Sequence, residues 1–335
     1  MGVITLARWL GPWADATKAP PVVSFDERVG DTRVRVYGER VRGTYLIAPG
    51  LHYAGPDDPR MDRFCRVLAA AGHEVVAPFI RDYLALVPGR GAIDEFARVF
   101  ARYRRREPAV FSISFGSLLA FALAAEHGDA IERLVVFGGY ADFHETMRFC
   151  LTGDVSSGRR AARDPLNQPV VLLNLLDHVA HDPAHRDALV AAWRRYVERT
   201  WGRPELKARD RFVAIAEELA PEVPEPVREL FLVGIGARPG AWELAAPALA
   251  KFDASALDPA PYLARVRGRV DLVHGADDDV IPFEQSHALA AALTNADVRV
   301  HVTGMYGHTG ASMATLAALP KELATMLRVL RVLAR

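Results

Sequence analysis

Along this chain, short β-branched and aliphatic runs alternate with longer helix-patterned segments. The alternation stops at about Asp142 and resumes only after Ala250. That rhythm specifies an α/β sheet interrupted by a helical block. The start reads as antiparallel: residues 22–25, then the alternating Thr32-Arg-Val-Arg-Val-Tyr37 reached through a Gly30-Asp31 turn. Tyr45-Leu-Ile-Ala48 is an unbroken apolar run, as expected of a strand covered on both faces. A helix over 59–71 closed by Gly72, a strand over 74–77, a helix over 93–105 and a strand over 109–113 follow. Next come a helix over 115–126 ended by Gly128 and a strand over 134–137. The block that follows reads as helical throughout, with helices expected at 170–179, 186–199, 204–219 and 226–233. The strand rhythm returns at 270–274, with a helix over 283–293, a strand over 298–302 and a last helix over 311–333. The expected organisation is a mostly parallel sheet flanked by helices. Its core is discontinuous, 1–141 and 251–335, and an all-helical insert spans 142–250.

Composition narrows the function classes. With 50% hydrophobic and 24% charged residues the chain is neither disordered nor a multi-span membrane protein. Its 41 basic residues balance 41 acidic ones, so no net field draws it to nucleic acid or anionic lipid, and nucleic acid is not expected as a partner. No stretch approaches the roughly 20 apolar residues of a spanning helix. The N-terminal segment lacks the pattern of a secretory signal, which makes the cytoplasm the expected location. Val3, Leu6, Trp9, Leu10 and Trp13 form a short apolar helical stripe, expected to pack on its own domain. Cys65 and Cys150 lie in apolar stretches without a Cys-x-x-Cys spacing and read as small buried hydrophobes.

Three strand ends carry chemically capable residues. In Ser112-Ile-Ser114-Phe-Gly116 a strand turns sharply into a helix at Ser114, with small residues two before and two after. Such a turn presents an exposed hydroxyl beside helix N-terminal N–H groups; a serine there is also an ordinary helix N-cap. In His274-Gly-Ala-Asp277-Asp278-Asp279 a carboxylate is available to orient an imidazole; an Asp run is equally a solvated loop. In Gly304-Met-Tyr-Gly307-His308, a glycine-bracketed histidine follows the last strand. Ser, Asp and His in that order, each at a strand's C-terminal end, form a combination that chance rarely supplies.

This order on a mostly parallel sheet resembles the α/β-hydrolase superfamily, over residues 22–334, with the helical block where that family carries its cap. Gly275, Asp278, Ile281 and Pro282 match the family's acid-loop string, and Asp142, just past the preceding strand, is an alternative acid. Ala48-Pro-Gly50-Leu51-His52 resembles its oxyanion loop, with Pro49 in place of the usual His. Ser112 stands where the first Gly of the turn is usual. The resemblance implies a Ser114–His308–Asp278 triad, with the backbone N–H groups of Leu51 and Phe115 as oxyanion donors. It implies a carboxylic-ester hydrolase that works on a small molecule through an acyl-enzyme, with no cofactor or metal. The insert's apolar residues, Leu172, Trp193 and Phe231 among them, either roof a pocket for short to medium acyl chains or form the insert's own core. His52 is a candidate for substrate contact. An acyltransferase or thioesterase with the same triad, and a non-catalytic binding protein on this fold, are the alternatives. His178, His181 and His185 flank Pro183 without a metal-site string, and His274 reads as packing or bonding locally.

Overall fold

The computed structural model describes residues 2–304 and 319–335. Among them, eight strands form one sheet: β1 (Ser24–Val29), β2 (Thr32–Tyr37), β3 (Thr44–Ala48), β4 (Glu74–Pro78), β5 (Ala109–Ile113), β6 (Leu134–Phe137), β7 (Gly268–Gly275) and β8 (Ala296–Thr303). Their order across the sheet is β1-β2-β4-β3-β5-β6-β7-β8. The hairpin β1–β2 and the pair β2–β4 are antiparallel; every other pair is parallel. Gly30, at φ +59°, makes the hairpin turn. Sequence pattern follows position. β3 is buried at all five residues, whereas the edge strand β1 alternates.

The helices are α1 (Gly2–Leu10), α2 (Pro59–Ala70), α3 (Arg81–Leu84), α4 (Arg90–Tyr103), α5 (Gly116–His127), α6 (Phe143–Thr152), α7 (Gln168–Leu175), α8 (Arg186–Thr200), α9 (Arg209–Leu219), α10 (Glu225–Ile235), α11 (Ala241–Lys251), α12 (Ala260–Leu263), α13 (Glu284–Ala292) and α14 (Leu319–Leu333). α5 is apolar all round and correspondingly buried from Gly116 to Ala124. α1 packs on α2 and α14, and Leu6 joins a core with Tyr45, Ile47, Met326 and Leu330. The N-terminal stripe thus packs on its own domain, although Trp13 stays exposed. Asp58 starts α2 by accepting from the Arg60 and Met61 N–H groups, with Pro59 pre-set for the first helical position.

The chain divides into two compact units, one of Met1–Asp142, Ala256–Asp278 and Phe283–Arg335, the other of Phe143–Ser255 and Asp279–Pro282. The second unit is helical and has its own core, including Leu172, Trp193, Tyr196 and Phe231. Two expected helices are shorter than their sequence pattern. The one over 170–179 ends at Leu175 and passes into a 3-10 turn. The one over 204–219 is a 3-10 turn, Pro204–Lys207, then α9, because Ala208 is extended. α6 and α11 were not evident from sequence; Pro247 inside α11 argues against a helix on propensity alone. The expected last helix is described from Leu319 onward, and its expected start at Ala311 lies outside the described residues.

His73, between α2 and β4, is buried against the Tyr45 ring. Burial, with the nearby Arg133 and Arg42 charges, pushes its pKa down to about 4. The unfolded chain therefore takes up this proton first as pH falls. The neutral folded form keeps its full advantage above pH 6.5 and loses it progressively toward pH 4, by about 3 kcal/mol at most. Thermal midpoints at pH 7.0, 5.5 and 4.5 should fall in that order. The decline should be shallower in His73→Gln, which has no proton to gain.

Candidate active site

Ser114 follows β5 at φ +53°, a left-handed conformation that a non-glycine residue adopts at a cost. Its N–H donates to the Phe137 carbonyl (2.8 Å), which fixes the turn to β6. Two residues on, Gly116 begins α5 where no side chain fits: a Cβ there would lie 2.2 Å from the Ala48 carbonyl oxygen and 2.5 Å from that of Pro49. The turn and the loop after β3 are therefore pressed together. Gly50 completes the contact, since a Cβ on it would meet the Ile113 carbonyl at 3.2 Å and the Ser114 Cβ at 3.4 Å. Ser112 and Ser117 are fully buried, while Ser114 retains slight exposure.

Leu51 thus follows the residue packed on Ser114, and Phe115 follows Ser114 itself. The Phe115 carbonyl accepts from the Tyr83 hydroxyl (2.9 Å). Tyr83 is buried, and burial pushes its phenol up, so it remains a donor. Nothing in the local sequence marks Tyr83, which reaches the turn from α3.

The three consecutive aspartates have three different environments. Asp277 is exposed. Asp279 pairs with Lys207, which also holds Asp164 (2.9 Å). Asp278 is buried, three residues past the end of β7, with its carboxylate 3.4 Å from His274 Nε2. His274 is itself fully buried, and its Nδ1 lies 2.6 Å from Ser286 Oγ. The local bonding expected of His274 is therefore to Ser286 and to the candidate acid four residues on. Asp142, the alternative acid, is anchored by its backbone: its N–H and that of Ala141 both donate to Gln285 Oε1 (3.0 and 2.8 Å). His308 lies outside the described residues.

His52, the candidate for substrate contact, is held by its own loop and by the start of α2. Its Nδ1 accepts the Ala54 N–H (3.2 Å), and its Nε2 lies 3.3 Å from Asp58 Oδ2. Both ring nitrogens are engaged within the chain. Among the described residues no group of three or more His, Cys, Asp or Glu side chains is placed to hold a metal ion. No helix among them is long and apolar enough to cross a membrane.

Because β3, β5, β6 and β7 run parallel, Leu51, Ser114, Asp142 and Asp278 all follow strand ends on one edge of the sheet. Acylaminoacyl peptidase from Pyrococcus horikoshii matches this architecture with a TM-score of 0.50 over 95% of this chain, at 10% identity. The chain has the α/β-hydrolase fold. It corresponds to 41% of the length of that peptidase. An alpha/beta hydrolase enzyme from a Medee basin deep-sea metagenome library matches at TM-score 0.48 and 11% identity, covering 93% of this chain and 96% of its own. A 2-hydroxy-6-oxo-6-phenylhexa-2,4-dienoate hydrolase from a Rhodococcus strain matches at 0.45 and 15%, covering 93% and 98%. No protein-family model matches the chain. No curated protein matches it in sequence.

In this fold the two small residues flanking Ser114 do different work. Gly116→Ala forces a methyl into two carbonyl oxygens and should destabilise by about 3 kcal/mol or more. Ser112 Oγ is buried without a hydrogen-bond partner, so Ser112→Ala should be neutral or slightly stabilising. Urea unfolding of the two variants checks both.

Proposed function

We propose that the protein is a serine hydrolase that cleaves carboxylic esters. Ser114 is the nucleophile, His308 the general base and Asp278 the acid that orients the imidazole. One observation carries the reading: Ser114 is held in a left-handed turn against the Gly50-Leu51 loop. An N-cap role does not account for that strain, because the N-cap residue of α5 is Phe115 and not Ser114. The burial of Asp278, against the exposure of Asp277 and the pairing of Asp279 with Lys207, supports Asp278 among the three.

In this mechanism Ser114 Oγ attacks the ester carbonyl carbon while His308 accepts its proton. The carbonyl π electrons move to oxygen, where the N–H groups of Leu51 and Phe115 stabilise the charge. Collapse expels the alkoxide, protonated by His308, and leaves an acyl-Ser114. Water, deprotonated by His308, then attacks the acyl carbonyl, and collapse breaks the bond to Ser114 Oγ, which takes back the proton from His308 as the acid leaves. The base must be neutral, so activity should fall on acidification through the ordinary imidazole range of roughly 6 to 7.

The helical unit leaves the chain after β6 and rejoins it before β7, and we assign it as the family's cap. Each methylene of an acyl chain buried in an apolar pocket gains roughly 0.8 kcal/mol. Butyrate to octanoate p-nitrophenyl esters should therefore outperform acetate, and a profile highest at acetate removes the acyl-pocket assignment. The reading itself is tested by fluorophosphonate treatment followed by intact mass and peptide mapping, with a single adduct expected on Ser114. No adduct on folded protein, or one on Ser117, overturns it. In the same assay Asp278→Asn should lower turnover on the order of 10⁴-fold, and Asp277→Asn should have little effect. A comparable collapse in Asp142→Asn instead would move the acid to the strand before.

A further inference from the structure

The loop after β3 carries an imidazole that the proposed chemistry does not use. His52 follows Leu51 directly, and its ring reaches in two directions. Nδ1 lies 3.2 Å from the Ala54 nitrogen, whose hydrogen points at it, so Nδ1 is the unprotonated acceptor. A neutral ring then bears its proton on Nε2, which lies 3.3 Å from Asp58 Oδ2. Arg60 Nη2, 3.4 Å from the same nitrogen, is a neighbour rather than a donor to it, because its main partner is the Asp58 carboxylate. Asp58 is fixed in turn: it caps α2 through the Arg60 and Met61 N–H groups (3.0 and 3.2 Å). The ring also stacks on Tyr53, with centroids 4.6 Å apart. Between His52 and Asp58 the backbone closes on itself, through Gly55 N–H to the His52 carbonyl and Asp58 N–H to the Gly55 carbonyl (both 3.0 Å).

The imidazole is neutral near pH 7. Burial pushes its pKa down to about 4, with Arg60 acting in the same direction against the opposing pull of Asp58. A protonated ring would present a second N–H to the Ala54 N–H and lose that bond. The bracing also has a reason to exist. Pro49 has no N–H and offers only a pyrrolidine ring, so the loop's entry carries no side chain able to tie it by hydrogen bonds. The tie comes from the exit side instead.

We propose that His52 is a positioning residue for the oxyanion site: it locks the Leu51 peptide by fastening the loop to the capped start of α2. The inference rests on the serine-hydrolase reading above. It differs from substrate contact in what it controls. A contact residue changes how well substrate binds, whereas a brace on an oxyanion donor changes chiefly how well the tetrahedral state is held.

The test uses wild type, His52→Phe and His52→Asn, all in the full chain. Phe keeps a ring for Tyr53 and loses both polar links. Asn keeps a side-chain oxygen able to accept the N–H two residues on, as in an Asx-turn. Steady-state hydrolysis of p-nitrophenyl butyrate and inhibition by an alkyl trifluoromethyl ketone, which adds the serine oxygen reversibly as a hemiketal, are the readouts. In His52→Phe, kcat should fall about 10- to 100-fold with KM within about twofold, and ketone affinity should weaken in parallel. His52→Asn, which keeps the Ala54 link and loses the one to Asp58, should lose kcat in the same direction. Unchanged kcat in either variant overturns the brace, as does a rise in KM alone. Should His52→Phe fail to fold by circular dichroism, the Asn variant decides alone. Absence of turnover and of Ser114 labelling in wild type would instead reject the hydrolase reading, a result distinct from any of these.

Discussion

A backbone contact that tolerates no side chain organises this site. The start of α5 lies so close to the Ala48 and Pro49 carbonyls that position 116 must be glycine. That approach sets the separation between the loop after β3 and the turn after β5, and with it the relation of Leu51 to Ser114. The left-handed backbone at Ser114 follows from the same geometry, since the chain must reverse from strand to helix within one residue. Strain of this kind costs on the order of 1–3 kcal/mol and persists only where the surroundings hold it. Here the holders are specific: the Phe137 carbonyl on the Ser114 N–H, Tyr83 on the Phe115 carbonyl, and an α5 buried along most of its length.

The polar groups around this turn are handled one by one. Asp278 is buried beside His274, which is tied to Ser286. Asp279, one residue along, is drawn to Lys207 and so belongs with the helical unit. Adjacent identical residues thus end in separate compact units, with the peptide between them as the divide. The pattern follows from the cost of burying a carboxylate, which must be met by a partner at each site rather than by a shared field.

The sheet was legible because its signals are local. β-branched runs of the right length, a glycine at the hairpin and a glycine two after Ser114 each constrain a few neighbouring residues, and the strand order carried them to one edge. The helical block was legible as helical but less so in its divisions. Ala208 turns extended in the middle of a good helical pattern, and Pro247 sits inside a helix that propensity disfavours. In both places tertiary packing overrides a weak local preference. The setting of His52 was less legible for a related reason. Proximity to the loop was readable, but its partners, the Ala54 N–H and the capped Asp58, depend on how the loop folds back on α2. Tyr83 had no local signal at all, since α3 is a single turn remote in sequence from Phe115.

This difference in legibility has a physical source. A nucleophile turn needs small residues at fixed spacing, so its requirements are written within five consecutive positions. A brace needs only some donor or acceptor that arrives at the right place, and many side chains on many elements can meet that need. Where Pro49 removes one means of tying the loop, an imidazole three positions later can supply another without altering the strand, the turn or the helix. Supporting residues are therefore free to move through the sequence while the elbow cannot. The same freedom extends to Asp278, behind which His274 and Ser286 form a buried support that no five-residue string encodes. The reactive geometry is narrow and local, whereas what holds it in place is distributed and becomes visible only when the chain is folded.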